Sequence, residues 1–157
     1  QVSTAVLVLE PSLPGGAVKT ARKGCGQYRL RTRGIPAHAG VEPEKGASAV
    51  HELVRLLAEV LRWHDPSRGT TVNVGTVQGG SRPNVVAERA EAEVDVRVTT
   101  RDEAGRIDGL MRSLVSADPG VGVEILGGMD RPPMERTASV LHLYEEARGV
   151  AAESGKG

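Results

Sequence analysis

Every second residue from Ala90 to Val98 is apolar: Ala90, Ala92, Val94, Val96 and Val98 alternate with Glu91, Glu93, Asp95 and Arg97. Successive side chains of an extended chain point to opposite sides, so this spacing gathers the apolar groups on one face and the charges on the other. The stretch reads as a long strand from about Val85 to Thr99 with one buried and one wet face.

Such a strand needs partners in a sheet, and the surrounding sequence supplies them. Residues from about Lys23 to Arg33 also alternate, with Tyr28 and Leu30 on one side and Gln27, Arg29, Arg31 and Arg33 on the other. TTVNVGTV, residues 70–77, is a further strand, and Val121, Val123 and Ile125 form a last one that Gly127 and Gly128 are expected to close. Val50, Leu53, Val54, Leu57, Val60 and Leu61 recur at helical spacing between Ala47 and His64, as do Ile107, Leu110, Met111 and Leu114 over a shorter stretch. The order β-α-β-β-α-β predicts an α+β, ferredoxin-like sandwich: a four-stranded antiparallel sheet, two helices on one face, the first and third strands central. Pairing those two sets Arg29, Arg31 and Arg33 against Glu91, Glu93 and Asp95, with each opposite-charge pair contributing roughly a few tenths of a kcal/mol.

Three domain segments are expected. Residues 1–20 hold the apolar run VLVLE and the Pro- and Gly-rich linker PSLPGGAVK; 21–130 hold the closed unit; 131–157 open another segment with a helix from about Ala138 to Glu153. At 157 residues the chain has length for one compact domain with trimmings.

Charge and composition exclude several roles. The 20 Lys and Arg balance the 20 Asp and Glu, leaving no excess to hold a phosphate backbone or an anionic membrane. Phe is absent, and two Tyr with one Trp make no platform for stacking bases, so no nucleic acid is expected as a partner. The single Cys25 has no partner for an internal disulfide, and no CxxC occurs. No apolar run spans a bilayer and no signal peptide is visible, so the expectation is a cytoplasmic protein without membrane contact.

Chemistry is not self-evident from motifs. His38, His51, His64 and His142 form no HExxH pattern, and neither a GxSxG elbow nor a phosphate-binding glycine loop occurs. Taken alone, His38 is a solvated loop histidine, Arg97 one more member of the charged stripe, and Asn84 a turn residue after Pro83.

Together, however, GIPAHAGVEPEKGASAV, VNVGTVQGGSRPNVVAERAEAEVDVR and GGMDRPPMERT, with VLVLEPS at the start, strongly resemble the dimerisation (lid) domain of the glutamate carboxypeptidase, acetylornithine deacetylase and aminoacylase family of dinuclear-zinc peptidases. The resemblance covers essentially the whole chain. It implies a hydrolase that cleaves the amide bond of peptides or N-acyl amino acids, using two zinc ions in the intact enzyme and none in this segment alone, which is then inactive. His38 matches the loop histidine that reaches into the partner subunit's site and binds the scissile carbonyl oxygen. Asn84 matches the asparagine that helps to hold the substrate, and Arg97 the arginine that grips its free carboxylate, a task suited to a planar guanidinium. Glu10 matches a zinc-ligating carboxylate. The stretch after Asn84, which lacks an early proline, is closer to the glutamate carboxypeptidase branch than to the deacetylases.

The resemblance also implies a homodimer. The strand at 70–77 lies at a sheet edge and carries neither charge nor proline, so it reads as an unprotected edge able to pair with its own copy beside the first helix. Two alternatives share the element order: a stand-alone ferredoxin-like self-association module, and an amino-acid-sensing regulatory module without catalysis.

Overall fold

The structure, a computed structural model, describes residues 17–155. The first apolar run and Glu10, the expected metal ligand, lie outside the described residues. The chain divides into two compact units: Lys23–Met134, and the terminal segments before and after it.

In the first unit, β1 (Gly24–Arg33), α1 (Ala49–Leu61), β2 (Thr71–Gly79), β3 (Arg89–Val98), α2 (Arg101–Arg112) and β4 (Gly122–Arg131) follow one another. They build one antiparallel sheet of order β2-β3-β1-β4, the α+β ferredoxin-like topology expected. The β3 alternation behaves as read: Ala90, Ala92, Val94, Val96 and Val98 are buried under the helices, with Tyr28 and Leu30 of β1 beside them. Leu53, Leu56, Val60, Ile107 and Met111 close the core from the helix side, and truncating any of the leucines to alanine costs about 2–5 kcal/mol.

Polar side chains lock this layer. Ser48 and Thr100 cap the two helices by accepting from the N–H groups of His51 and Glu103. Thr32, buried on β1, donates to the Ala49 carbonyl oxygen at 2.9 Å and ties the strand to the start of α1. Glu103, buried in the first turn of α2, accepts from Thr70 Oγ1 at 2.7 Å and from Arg106 Nε at 2.9 Å and Nη2, which joins α2 to the start of β2. Tyr28 donates its hydroxyl to Asp108 at 2.8 Å, and burial, reinforced by that bond, pushes its phenol well above the usual range.

Five expectations need correction. Val54 and Leu61 were placed on the buried face of α1, yet they are 59% and 49% exposed, and Leu56 is buried instead. The helix presents Ala49, Leu53, Leu56, Leu57 and Val60 to the core, which turns Val54 and Leu61 out. Second, β3 starts at Arg89 rather than near Val85. Residues 85–88 bond to the loop after β1 and to the start of α1 instead, through Val86 N–H to Ala37 O, Gly34 N–H to Glu88 O and Ala49 N–H to Ala87 O. Third, β4 runs through its glycine pair to Arg131, because Gly127 at φ +85° kinks the strand without ending its pairing to β1. Fourth, the cross-strand register gives Arg29↔Glu93 and Arg31↔Glu91, with bonds at 2.6 and 2.5 Å, but sets Arg33 against Arg89 and Asp95 against Gln27. Fifth, β2 is a partly blunted edge: its register shifts at Gly75, and His64 Nδ1 accepts the outward N–H of Val72 at 3.3 Å.

In the other unit, α3 (Ala138–Glu153) is capped by Thr137, whose side chain accepts from Val140 N–H. No described helix is long and apolar enough to cross a membrane.

Candidate functional site

His38 lies in the loop that leaves β1. Two bridges hold this loop, Ile35↔Ala47 across its base and His38↔Val85 to the segment before β3. A turn follows His38, with its carbonyl oxygen accepting from Val41 and Glu42 N–H, and the Gly40 N–H reaches back to His38 Nδ1 at 3.2 Å. An Nδ1 that accepts a hydrogen bond carries no proton, so in the neutral ring the proton is on Nε2. His38 therefore offers an exposed N–H donor on a loop whose backbone is pinned on both sides.

Asn84 is its immediate neighbour. The Asn84 carbonyl oxygen accepts from Ala39 N–H at 3.0 Å, while its exposed side-chain amide makes no hydrogen bond among the described residues. A turn asparagine of the ordinary kind bonds its own backbone or takes a left-handed conformation. Asn84 does neither: its amide is unbonded, and among the described residues only glycines have positive φ.

Arg97 stands elsewhere. It is on the open face of β3, eight positions from Arg89, and thus about 26 Å along the strand from the end that meets the His38 loop, at roughly 3.3 Å per residue. At its own end β1 begins and β4 finishes, as the Cys25↔Arg97 and Cys25↔Arg131 pairings record. Asp95, two residues back on the same face, takes Arg97 Nε at 2.9 Å and Nη2 at 3.0 Å, and this bond raises the guanidinium pKa further. The structure brings His38 and Asn84 together and keeps Arg97 apart from both within one chain.

Asp95 was legible only as part of the charged stripe. The signal was present, because Asp95 and Arg97 have the i, i+2 spacing that shares a strand face, but cross-strand pairing with β1 was the competing expectation. The same face carries a shallow depression of about 450 Å³ lined by Gln27, Arg29, Glu93, Asp95 and Asp130 among others. Two of its three carboxylates are paired, Glu93 with Arg29 and Asp95 with Arg97.

Among the described residues no three His, Cys, Asp or Glu side chains come together as a metal site. By themselves the described residues do not fit a zinc centre.

Beside the β2 edge runs an apolar strip. Val54 and Leu61 of α1 and Val77 of β2 are all about half exposed or more. Val50 packs against the backbone near Gly79, which keeps the helix alongside the edge strand.

Residues 20–122, well over half the chain, match the family model described as the peptidase dimerisation domain. A probable carboxypeptidase of Arthroderma otae is 40% identical over 111 residues, 63% of this chain and 24% of the relative. One from Trichophyton verrucosum is 36% identical over 132 residues, 74% of this chain and 28% of the relative. The chain thus spans about a quarter of the length of these curated relatives. Among solved structures, aminopeptidase PepT of Bacillus cereus aligns over 87% of this chain and 37% of its own, with TM-score 0.65 and 22% identity. A hydantoinase/carbamoylase family amidase of Burkholderia multivorans aligns over 84% of this chain and 34% of its own, with TM-score 0.64 and 24% identity.

Proposed function

The chain belongs to the peptidase dimerisation-domain family, and from that premise we propose that it is the lid of a zinc-dependent carboxypeptidase or amidohydrolase acting on peptides or N-acyl amino acids. In this reading residues 21–130 are the lid, while 1–20 and 131–157 belong to a catalytic part whose other segments carry both zinc ions, with Glu10 as one ligand. The matched span and the compact unit Lys23–Met134 support that division. Relatives named carboxypeptidases favour a substrate with a free carboxylate.

One observation carries the proposal: His38 and Asn84 stand together at one end of the sheet and Arg97 at the other. A substrate small enough to be an acyl amino acid does not span about 26 Å. Both groups serve one substrate only if they come from different protomers. In this reading Arg97 serves the catalytic part of its own subunit. His38 and Asn84 serve the partner's. There, His38 Nε2–H donates to the oxygen that gains negative charge as the amide carbonyl becomes tetrahedral, and Asn84 offers its free amide to the substrate. Arg97 grips the carboxylate.

A two-fold dimer through the edge strand β2, Thr71–Gly79, supplies that arrangement. Since Val72 N–H points away from β3, alternation turns Val74 outward too, and past the shift at Gly75 the same holds for Val77 and Gly79. Those groups are available to a second copy, and Val54, Leu61 and Val77 add the apolar contact beside it.

Mixing variants of the full-length protein tests the split. His38→Ala and Arg97→Ala homodimers are each expected to lose about two to three orders of magnitude in kcat/KM. A heterodimer of the two keeps one site with both residues intact and loses both from the other. After subunit exchange, random reassociation makes about half the dimers mixed, and activity recovers to about a quarter of wild type. No recovery after verified exchange refutes the assignment of these residues to different subunits.

A further inference from the structure

We propose that Asp95 is a positioning residue for Arg97, holding one edge of the guanidinium so that the other edge meets the substrate carboxylate; this rests on the role proposed for Arg97 above. An arginine side chain has five N–H bonds in one plane. Asp95 occupies the Nε hydrogen and one Nη2 hydrogen, at 2.9 and 3.0 Å, which consumes one edge of the fork. Both Nη1 hydrogens and the second Nη2 hydrogen remain, and one from each nitrogen forms the end-on edge that receives a carboxylate in bidentate fashion. An isolated exposed arginine samples many rotamers and loses that freedom on binding; the fork removes most of that loss beforehand.

The surroundings leave this task to Asp95. In the row across the sheet, Arg97 faces Thr71 on β2 and Cys25 on β1, and Cys25 faces Arg131 on β4, so no other carboxylate stands in the row. The strand geometry fixes the pair, since residues two apart share a face and β3 is central, bonded on both sides. Arg97 is 47% and Asp95 33% exposed, so the pair is open enough for a ligand to reach the free edge.

The proposal has a sign that a simple charge argument reverses. If Asp95 only neutralised Arg97, removing its charge would strengthen attraction for an anionic substrate and lower KM. If Asp95 aims the guanidinium, the loss of its second acceptor oxygen frees the side chain and raises KM. The experiment is steady-state kinetics of the full-length protein with Asp95→Asn, Asp95→Glu and Arg97→Lys, on an N-acyl amino acid and on its carboxamide, with thermal melts to compare folding. We expect Asp95→Asn to raise KM for the free acid about ten-fold, with little change in kcat and little effect on the carboxamide. Asp95→Glu, which keeps a two-oxygen acceptor, recovers part of the loss. Arg97→Lys abolishes the preference for the free acid. Unchanged or tighter binding of the acid by Asp95→Asn, while Arg97→Lys still loses the preference, overturns the positioning role alone. If Arg97→Lys leaves the preference intact, the carboxylate-binding reading falls, and the proposal with it.

Discussion

Replacing Glu103 with glutamine removes one charge from the buried contact between α2 and the start of β2 while keeping the side chain's shape. The carboxylate is 7% exposed and accepts from Thr70 and twice from Arg106, with Arg68 Nη1 at 3.5 Å. Arg106's hydrogen bonds, opposed by burial and assisted by Thr70, lower its pKa from 4.5 to about 2. At about 1.4 kcal/mol per pH unit that difference corresponds to about 3 kcal/mol at neutral pH. Arg106 and Arg68 are 34% and 57% exposed, and solvent screening reduces the figure to about 2 kcal/mol. For a unit of this size that is a fall of about 8 °C in Tm. A folded-state pKa below the unfolded one stabilises above the unfolded value, and the contribution fades as pH falls from about 4.5 toward about 2. Urea denaturation of wild type and Glu103→Gln, at one protein concentration and at pH 7, 4 and 3, measures the gap between them. It should be widest at pH 7 and narrow by pH 3. Equal stabilities at pH 7, or a gap that does not change with pH, would refute the assignment of this stabilisation to an ionised Glu103.

Four further substitutions test the backbone and the surface. Val74→Pro removes an outward donor from the middle of β2, and Val54→Asp charges the apolar strip beside it; each should be monomeric in sedimentation at tens of micromolar where wild type is dimeric. A monomeric wild type or a fully dimeric Val74→Pro refutes the edge-pairing arrangement. Gly127→Ala places a Cβ 2.1 Å from the Gln27 carbonyl oxygen at a φ of +85°, and should cost about 3 kcal/mol. Gly105→Ala, in α2 with open space around it, should gain about 0.5–1 kcal/mol, both changes read by the same urea denaturation.

Periodicity carried most of the fold. A two-residue period survives any tertiary context that buries one side of a strand, so β1 and β3 and their inward residues were readable directly. Helical spacing located α1 but not its orientation: Val50, Leu53, Val54, Leu56, Leu57, Val60 and Leu61 cover more of the circumference than one sheet can bury. Which of them face inward depends on how the helix lies over β1 to β3, and that is decided by packing. The glycines were ambiguous for a related reason. Gly127 reads as a strand end and Gly75 as an ordinary strand position, and only pairing with a neighbour shows that β4 continues past Gly127 and that the register of β2 shifts at Gly75.

The candidate site divides along the same line. The family resemblance of the segments around them marked His38, Asn84 and Arg97 as the groups to watch; residue types alone left them a solvated histidine, a turn residue and one member of a charged stripe. Sequence order, however, carries no distances between loops. Only the antiparallel register joins the His38 loop to Asn84 at one end of the sheet and leaves Arg97 at the other. The tautomer of His38 rests on a single backbone N–H two residues away, and the aim of Arg97 on a carboxylate two residues back. Both are contacts of direction, set by φ, ψ and rotamer, and a linear sequence does not encode direction until the chain has folded.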